Sequence, residues 1–144
     1  MAQGSGWKTA VRVARGQSLE AARRAPAGSG RATVFDFEGT GAEKTWIGTV
    51  TLGPSGVTGA HHHGRHEVAL GVTRGQVEIR WGEKLEYAAN VGPGDFVYFA
   101  PYVPHQERNL SATEAVDYVV VRSDNERIAI PLDVVPVERP EKVC

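Results

Sequence analysis

From Arg31 onward the apolar residues come in short β-branched and aromatic runs, each cut off by glycine, proline or a charged turn. None of these runs is long or periodic enough to pack as a helix, so this part of the chain is held to strands. ATVFDFE at 32–38 sets Val34, Asp36 and Glu38 against Phe35 and Phe37. TWIGTVTL at 45–52 is rich in residues that suit a pleated surface. EVALGVT at 67–73 and QVEIRW at 76–81 flank Arg74-Gly75, which predicts a hairpin. In the second run Val77, Ile79 and Trp81 share one face, and Gln76, Glu78 and Arg80 the other. Gly82-Glu83 turns the chain into KLEYA at 84–88, and GPGD at 92–95 turns it into DFVYFA. VVVR within 116–122 and IAIPLDVV at 128–135 follow. Seventeen glycines and eight prolines supply the turns that such a string of strands needs. The pattern predicts an all-β antiparallel sandwich or barrel, and periodicity alone does not choose between them.

The chain has 144 residues, enough for one domain with a working core. Residues 1–30 read as an irregular arm. A short helix is expected at Ser18–Arg24, opened by a serine cap and closed by Pro26, and AGSG at 27–30 reads as a flexible connector. The barrel is expected over 31–135, with a tail at 136–144. A net charge of -1 and the lack of a basic stripe argue against a nucleic-acid partner. No apolar run approaches the roughly 20 residues of a membrane span. The N-terminus MAQGSGWKTAVRV lacks the apolar core of a secretory signal. A single cysteine, Cys144, excludes an internal disulfide framework and reads as a solvated thiol. Together these fit a cytoplasmic protein. P-loop, GxGxxG, nucleophile-elbow and CxxC patterns are all missing, so the enzyme classes they mark find no support.

Four of the five histidines lie between positions 61 and 66: His61, His62, His63 and His66. The fifth, His105, sits far along the chain on another predicted strand. On a strand, residues i and i+2 face the same way, so His61 and His63 can enter one cavity while His62 points away. Neutral imidazole is a common ligand for first-row transition metals, which makes H-x-H a natural half-site. The polar, histidine-dense segment leads straight into an apolar β run, the kind of junction where a barrel mouth places ligands. Further ligands must come from Glu67 or His66 nearby and from His105.

With these residues in view, the sequence resembles the cupin superfamily. GVTGAHHHGRHEVALGVTRG is similar to its first motif, G-(x)5-H-x-H-(x)3,4-E-(x)6-G. GDFVYFAPYVPHQERN is similar to its second, G-(x)5-P-x-G-(x)2-H-(x)3-N. The resemblance implies a double-stranded β-helix, or jelly-roll barrel, holding one divalent transition metal: iron, manganese, nickel or zinc. By position it implies His61, His63, Glu67 and His105 as ligands, with Asn109 as the closing asparagine. The sequence departs from the pattern in three places. Seven residues, not six, separate Glu67 from Gly75; four, not five, separate Gly56 from His61; and no glycine precedes His105 in APYVPH. If the strand runs unbroken back from Gly75, His66 shares a face with Val68 and Leu70 and Glu67 faces away. A bulge after Glu67 would reverse that. Glu67 is preferred by the motif, and His66 is the alternative.

A site of this kind keeps open positions for water, oxygen or a chelating small molecule. The first expectation is a metal-dependent, dioxygenase-like enzyme on a small organic substrate. A non-catalytic binding or sensing module is the alternative, and a Lewis-acid isomerase or decarboxylase is the second. Trp46 is expected in the core or at a dimer interface. Of Tyr98, Phe99 and Tyr102, two are expected to pack the barrel, and Arg80 is expected to be solvated. Open sheet edges and the cupin resemblance imply a homodimer.

Overall fold

The computed structural model describes residues 4–23, 30–124 and 128–144. The expected helix stop at Pro26 and the 27–29 portion of the AGSG connector lie outside them. A 3-10 turn spans Gly4–Thr9, and α1 spans Gly16–Arg23, beginning two residues before Ser18. Eleven strands are described: β1 (Gly30–Phe35), β2 (Trp46–Leu52), β3 (His61–His62), β4 (Val68–Arg74), β5 (Val77–Trp81), β6 (Tyr87–Val91), β7 (Phe96–Phe99), β8 (His105–Arg108), β9 (Val116–Arg122), β10 (Ile130–Pro131) and β11 (Glu141–Lys142). One sheet has the order β1-β2-β9-β4-β7 and the other β10-β3-β8-β5-β6-β11. The result is an all-β jelly roll of two facing sheets.

Three strand boundaries differ from the sequence pattern for local reasons. The 32–38 run stops at Phe35 because the Asp36 side chain accepts a hydrogen bond from Gly39 N–H at 2.8 Å. That caps a one-turn helix, α2 (Phe37–Thr40), which Gly41 closes in the left-handed region. KLEYA does not form a strand as a whole. Gly82, at φ 105, and Leu85 N–H bonded to Gly82 C=O extend the turn, so β6 starts only at Tyr87. The 128–135 run pairs only at Ile130–Pro131, where proline has no N–H to offer a ladder.

The expected hairpin at Arg74-Gly75 does not form. Both edges of β4 are already taken, by β7 and β9, so β5 cannot pair with it and instead lies between β6 and β8 in the other sheet. Gly75 makes the crossing at φ 80, and a Cβ there would collide with the Ala115 carbonyl oxygen.

Period-two alternation builds the core. Val68, Leu70 and Val72 of β4, Val77 and Ile79 of β5, and Val116, Tyr118 and Val120 of β9 point inward with Trp46, Val50, Leu52 and Phe99. Each aliphatic side chain buried in this way contributes about 2 kcal/mol. Trp46 is a core residue, and so is Phe99, but Tyr98 and Tyr102 are exposed rather than packed inside. Arg80 is not solvated. Its side chain is largely covered and its Nε donates to Glu78 at 2.6 Å. Lys142 of β11 reaches the same carboxylate at 2.9 Å, which ties the tail to the barrel edge at β6.

Toward one end of the barrel the inward positions stop being apolar. His63, His66, His105, Glu107 and Arg122 are all buried there. Burying such groups costs free energy unless they are paired or bound, which marks this end as the candidate site.

Candidate metal centre

β3 and β8 bring the first two histidines together, because His61 and His105 are direct cross-strand partners. His63 follows two residues after His61, on the same side by alternation. The chain then turns at Gly64, at φ 59, whose carbonyl accepts from Tyr102 N–H at 2.8 Å. The ring centroids of the three histidines lie 4.4 to 5.1 Å apart. One nitrogen from each falls within 4.8 Å of the other two. His61, His63 and His105 can therefore hold a metal ion.

Hydrogen bonding fixes which nitrogens are offered. His61 Nδ1 lies 2.7 Å from the Gly59 carbonyl, His63 Nδ1 2.7 Å from that of Ile128, and His105 Nδ1 3.1 Å from that of Val103. A carbonyl only accepts, so each Nδ1 carries the proton and each Nε2 is left with its lone pair. His105 Nε2 is buried and has no hydrogen-bond partner. A carbonyl partner on the far nitrogen is the usual orienting contact of a metal-bound histidine. The donor set thus fits a divalent transition metal on its own chemistry.

The electrostatics agree. Burial, together with the neighbouring His105, His61 and Arg122 charges, lowers the His63 pKa to about 4 against the pull of the Ile128 carbonyl. Burial likewise lowers that of His105, with nearby Glu107 opposing. Both rings are neutral near pH 7, the form that binds metal. Between about pH 6.5 and 4 the unfolded chain takes up protons that the folded chain refuses, so stability falls as the pH falls through that window. Urea denaturation of the metal-free protein is expected to show a loss of about 2 kcal/mol between about pH 7.5 and 5. Equal stability at the two values would contradict the burial of these imidazoles.

The other sequence candidates fall elsewhere. Glu67, preferred by motif spacing, is not brought to the trio. It is exposed, and its Oε2 accepts from the Tyr98 hydroxyl at 2.6 Å. The physical reason is strand phase: Val68, Leu70 and Val72 are buried without a bulge before them, so the odd positions face out. His66 has the inward phase and is 1% exposed. It still lies outside the trio, with Nε2 3.9 Å from an Asp124 carboxylate oxygen. His62 Nδ1 accepts from Gly64 N–H at 2.9 Å, and its ring rests against Tyr102. Asn109 is structural: its Nδ2 donates to the Leu52, Gly53 and Glu114 carbonyls.

Sequence reasoning missed two groups. Glu107, two residues after His105 on β8, is 6% exposed and its Oε2 accepts from the Thr58 hydroxyl at 2.8 Å. The alternation that picks out His61 and His63 applies equally to His105 and Glu107 and could have found it. Arg122 ends the inward series Val116, Tyr118, Val120 on β9 and lies 4.2 Å over the Trp46 ring. Beside the trio is a cavity of about 480 Å³ lined by His61, His63, Arg31, Arg122, Thr58 and Pro131 among others. Phe99 stacks on His105 at 4.0 Å and separates it from a second, apolar cavity of about 390 Å³.

Comparison with known proteins gives a consistent picture. The sequence model of the family described as Cupin domain matches residues 48–122. No curated protein matches the chain. Among solved structures, it is similar to a conserved protein with a double-stranded β-helix domain from Klebsiella pneumoniae subsp. pneumoniae MGH 78578. That similarity is at 16% identity and a TM-score of 0.68, over 85% of this chain and 98% of that one. A cupin 2 domain-containing protein from Halorhodospira halophila is similar at 25% identity and a TM-score of 0.64, over 74% and 72% of the two chains. The polyketide cyclase RemF from Streptomyces resistomycificus is similar at 21% identity and a TM-score of 0.64, over 81% and 80%. No described helix is long and apolar enough to cross a membrane.

Proposed function

Because the chain belongs to the cupin domain family, we propose that it is a metal-dependent enzyme acting on a small organic substrate, with dioxygenase-like chemistry as its reaction. The observation that carries this reading is the shared geometry of His61, His63 and His105. Each Nδ1 is tied to a backbone carbonyl, and each Nε2 is left free in one small space. A first-row transition metal bound there supplies Lewis-acid activation of a chelating substrate and, when it is iron, one-electron chemistry toward dioxygen.

The chain's own residues do the rest. The three carbonyl contacts hold the imidazoles in one tautomer and orientation, so little rearrangement is needed on binding. Phe99, stacked on His105, holds that ring from one side. With Glu67 outside and His66 apart, three neutral protein donors leave several positions for substrate and solvent. A second reading, non-oxidative Lewis-acid chemistry of the isomerase or decarboxylase kind, is favoured by Glu107. This buried carboxylate beside His105 can accept a proton.

Protein purified without a histidine tag is expected to carry about one iron, manganese, nickel or zinc ion per chain by elemental analysis. Oxygen uptake with a panel of diketones and catechols then separates the two chemistries. Uptake supports the dioxygenase reading, and conversion without uptake supports the Lewis-acid one. Protein that arrives metal-free and refuses all four ions would sink both.

A further inference from the structure

The cavity beside the histidines carries a second signal, independent of the imidazoles. Two arginines reach it from different strands: Arg31 from β1 and Arg122 from the end of β9. Arg122 is 3% exposed, and its guanidinium lies over the Trp46 ring, which fixes its direction. Arg31 is exposed at the rim. One buried carboxylate, Glu107, lies near His105 and outside this lining, where its Oε2 accepts from the Thr58 hydroxyl. Arg31 and Arg122 thus line one space together with His61 and His63, and no described residue in its lining is acidic.

A buried guanidinium in the wall of a small cavity favours an anion inside it, and its planar fork suits a carboxylate. Three neutral donors would also leave the full charge of a divalent metal in place, and that again calls for a negative ligand. We propose that this cavity selects a small organic acid, gripped at two points: a chelating end at His61, His63 and His105, and a carboxylate or enolate at Arg122 and Arg31. The chelating end rests on the metal-dependent function proposed above, and the arginine end does not. Arg31, at the rim, also steers anions inward.

Isothermal titration tests this with malonate and with its neutral counterpart malonamide, each added to Co²⁺-loaded and to metal-free protein. Malonate is expected to bind the loaded protein at least about tenfold more tightly than malonamide. Arg31→Gln should weaken malonate by about tenfold while leaving Co²⁺ affinity and its absorption spectrum unchanged, and Arg122→Gln should weaken malonate by a similar factor. Arg122 packs on Trp46, so if Arg122→Gln fails to fold, Arg31→Gln, at an exposed position, carries the test. Equal binding of malonate and malonamide, or malonate binding indifferent to Arg31→Gln, overturns the proposal. Failure to bind Co²⁺ would sink the metal reading alone, because malonate binding to metal-free protein would still report on the arginines.

Discussion

Replacing His105 or His63 with alanine is expected to lower metal affinity by more than about a hundredfold, since losing only an outer partner of a metal-bound histidine costs about 10–100-fold. Each residue supplies one of three donors, and each already has its Nδ1 committed to a carbonyl. No neighbour among the described residues is placed to take over. Glu67 is exposed and bonded to Tyr98, and His62 is turned toward Gly64 and Tyr102. Glu67→Gln and His62→Ala are therefore expected to change affinity by no more than about twofold. Competition against a chromophoric chelator measures all four variants on one scale, with circular dichroism to show that each is folded. His105→Ala also removes the ring on which Phe99 stacks, so His105→Asn serves as the smaller perturbation. A variant order in which His62 or Glu67 matters more than His105 would mean that the strand phase assigned to this segment is wrong.

The second large effect is on stability. Asn109→Ala is expected to cost about 3 kcal/mol and to lower Tm by about 10 °C. Asn109 is 3% exposed and joins three separate stretches of backbone. Its Nδ2 serves carbonyls at the end of β2 and before β9, and its Oδ1 accepts from Ser111 N–H at 3.0 Å. Alanine would leave these groups buried without partners, which costs more than the hydrogen bonds themselves contribute. Asn109→Asp should be no better, because a carboxylate oxygen would then face three carbonyl oxygens. Metal affinity of the folded fraction should stay unchanged in both variants. Thermal melts within about 0.5 kcal/mol of the parent would show that the asparagine is dispensable.

Much of the metal centre is legible in the sequence because strand alternation is a local property. His61 and His63 share a face whatever they pair with. The same rule puts His66 inward and Glu67 outward because the alternation is unbroken from His66 to Val72, the register shift of β4 lying beyond it, between Val72 and Arg74. Motif spacing favours Glu67, and the backbone phase decides against it. Glu107 obeys the same alternation, two residues after His105, yet a lone glutamate on a strand carries no motif to draw notice. The hairpin at Arg74-Gly75 fails for the opposite reason, since strand adjacency in sequence does not say which sheet edge is vacant.

The sequence by itself determined that the chain would be an all-β fold of short strands, that alternate residues of each strand would share a face, and that histidines from two distant segments would be candidate ligands. Those follow from a two-residue repeat and from turn chemistry, which act over a few bonds. Only the tertiary structure decided that His61 sits opposite His105, that His66 stands apart from the trio, and that Arg31 and Arg122 open onto the same cavity. These depend on register and on which strands become neighbours. Both are set by the packing of the whole core, not by any one segment.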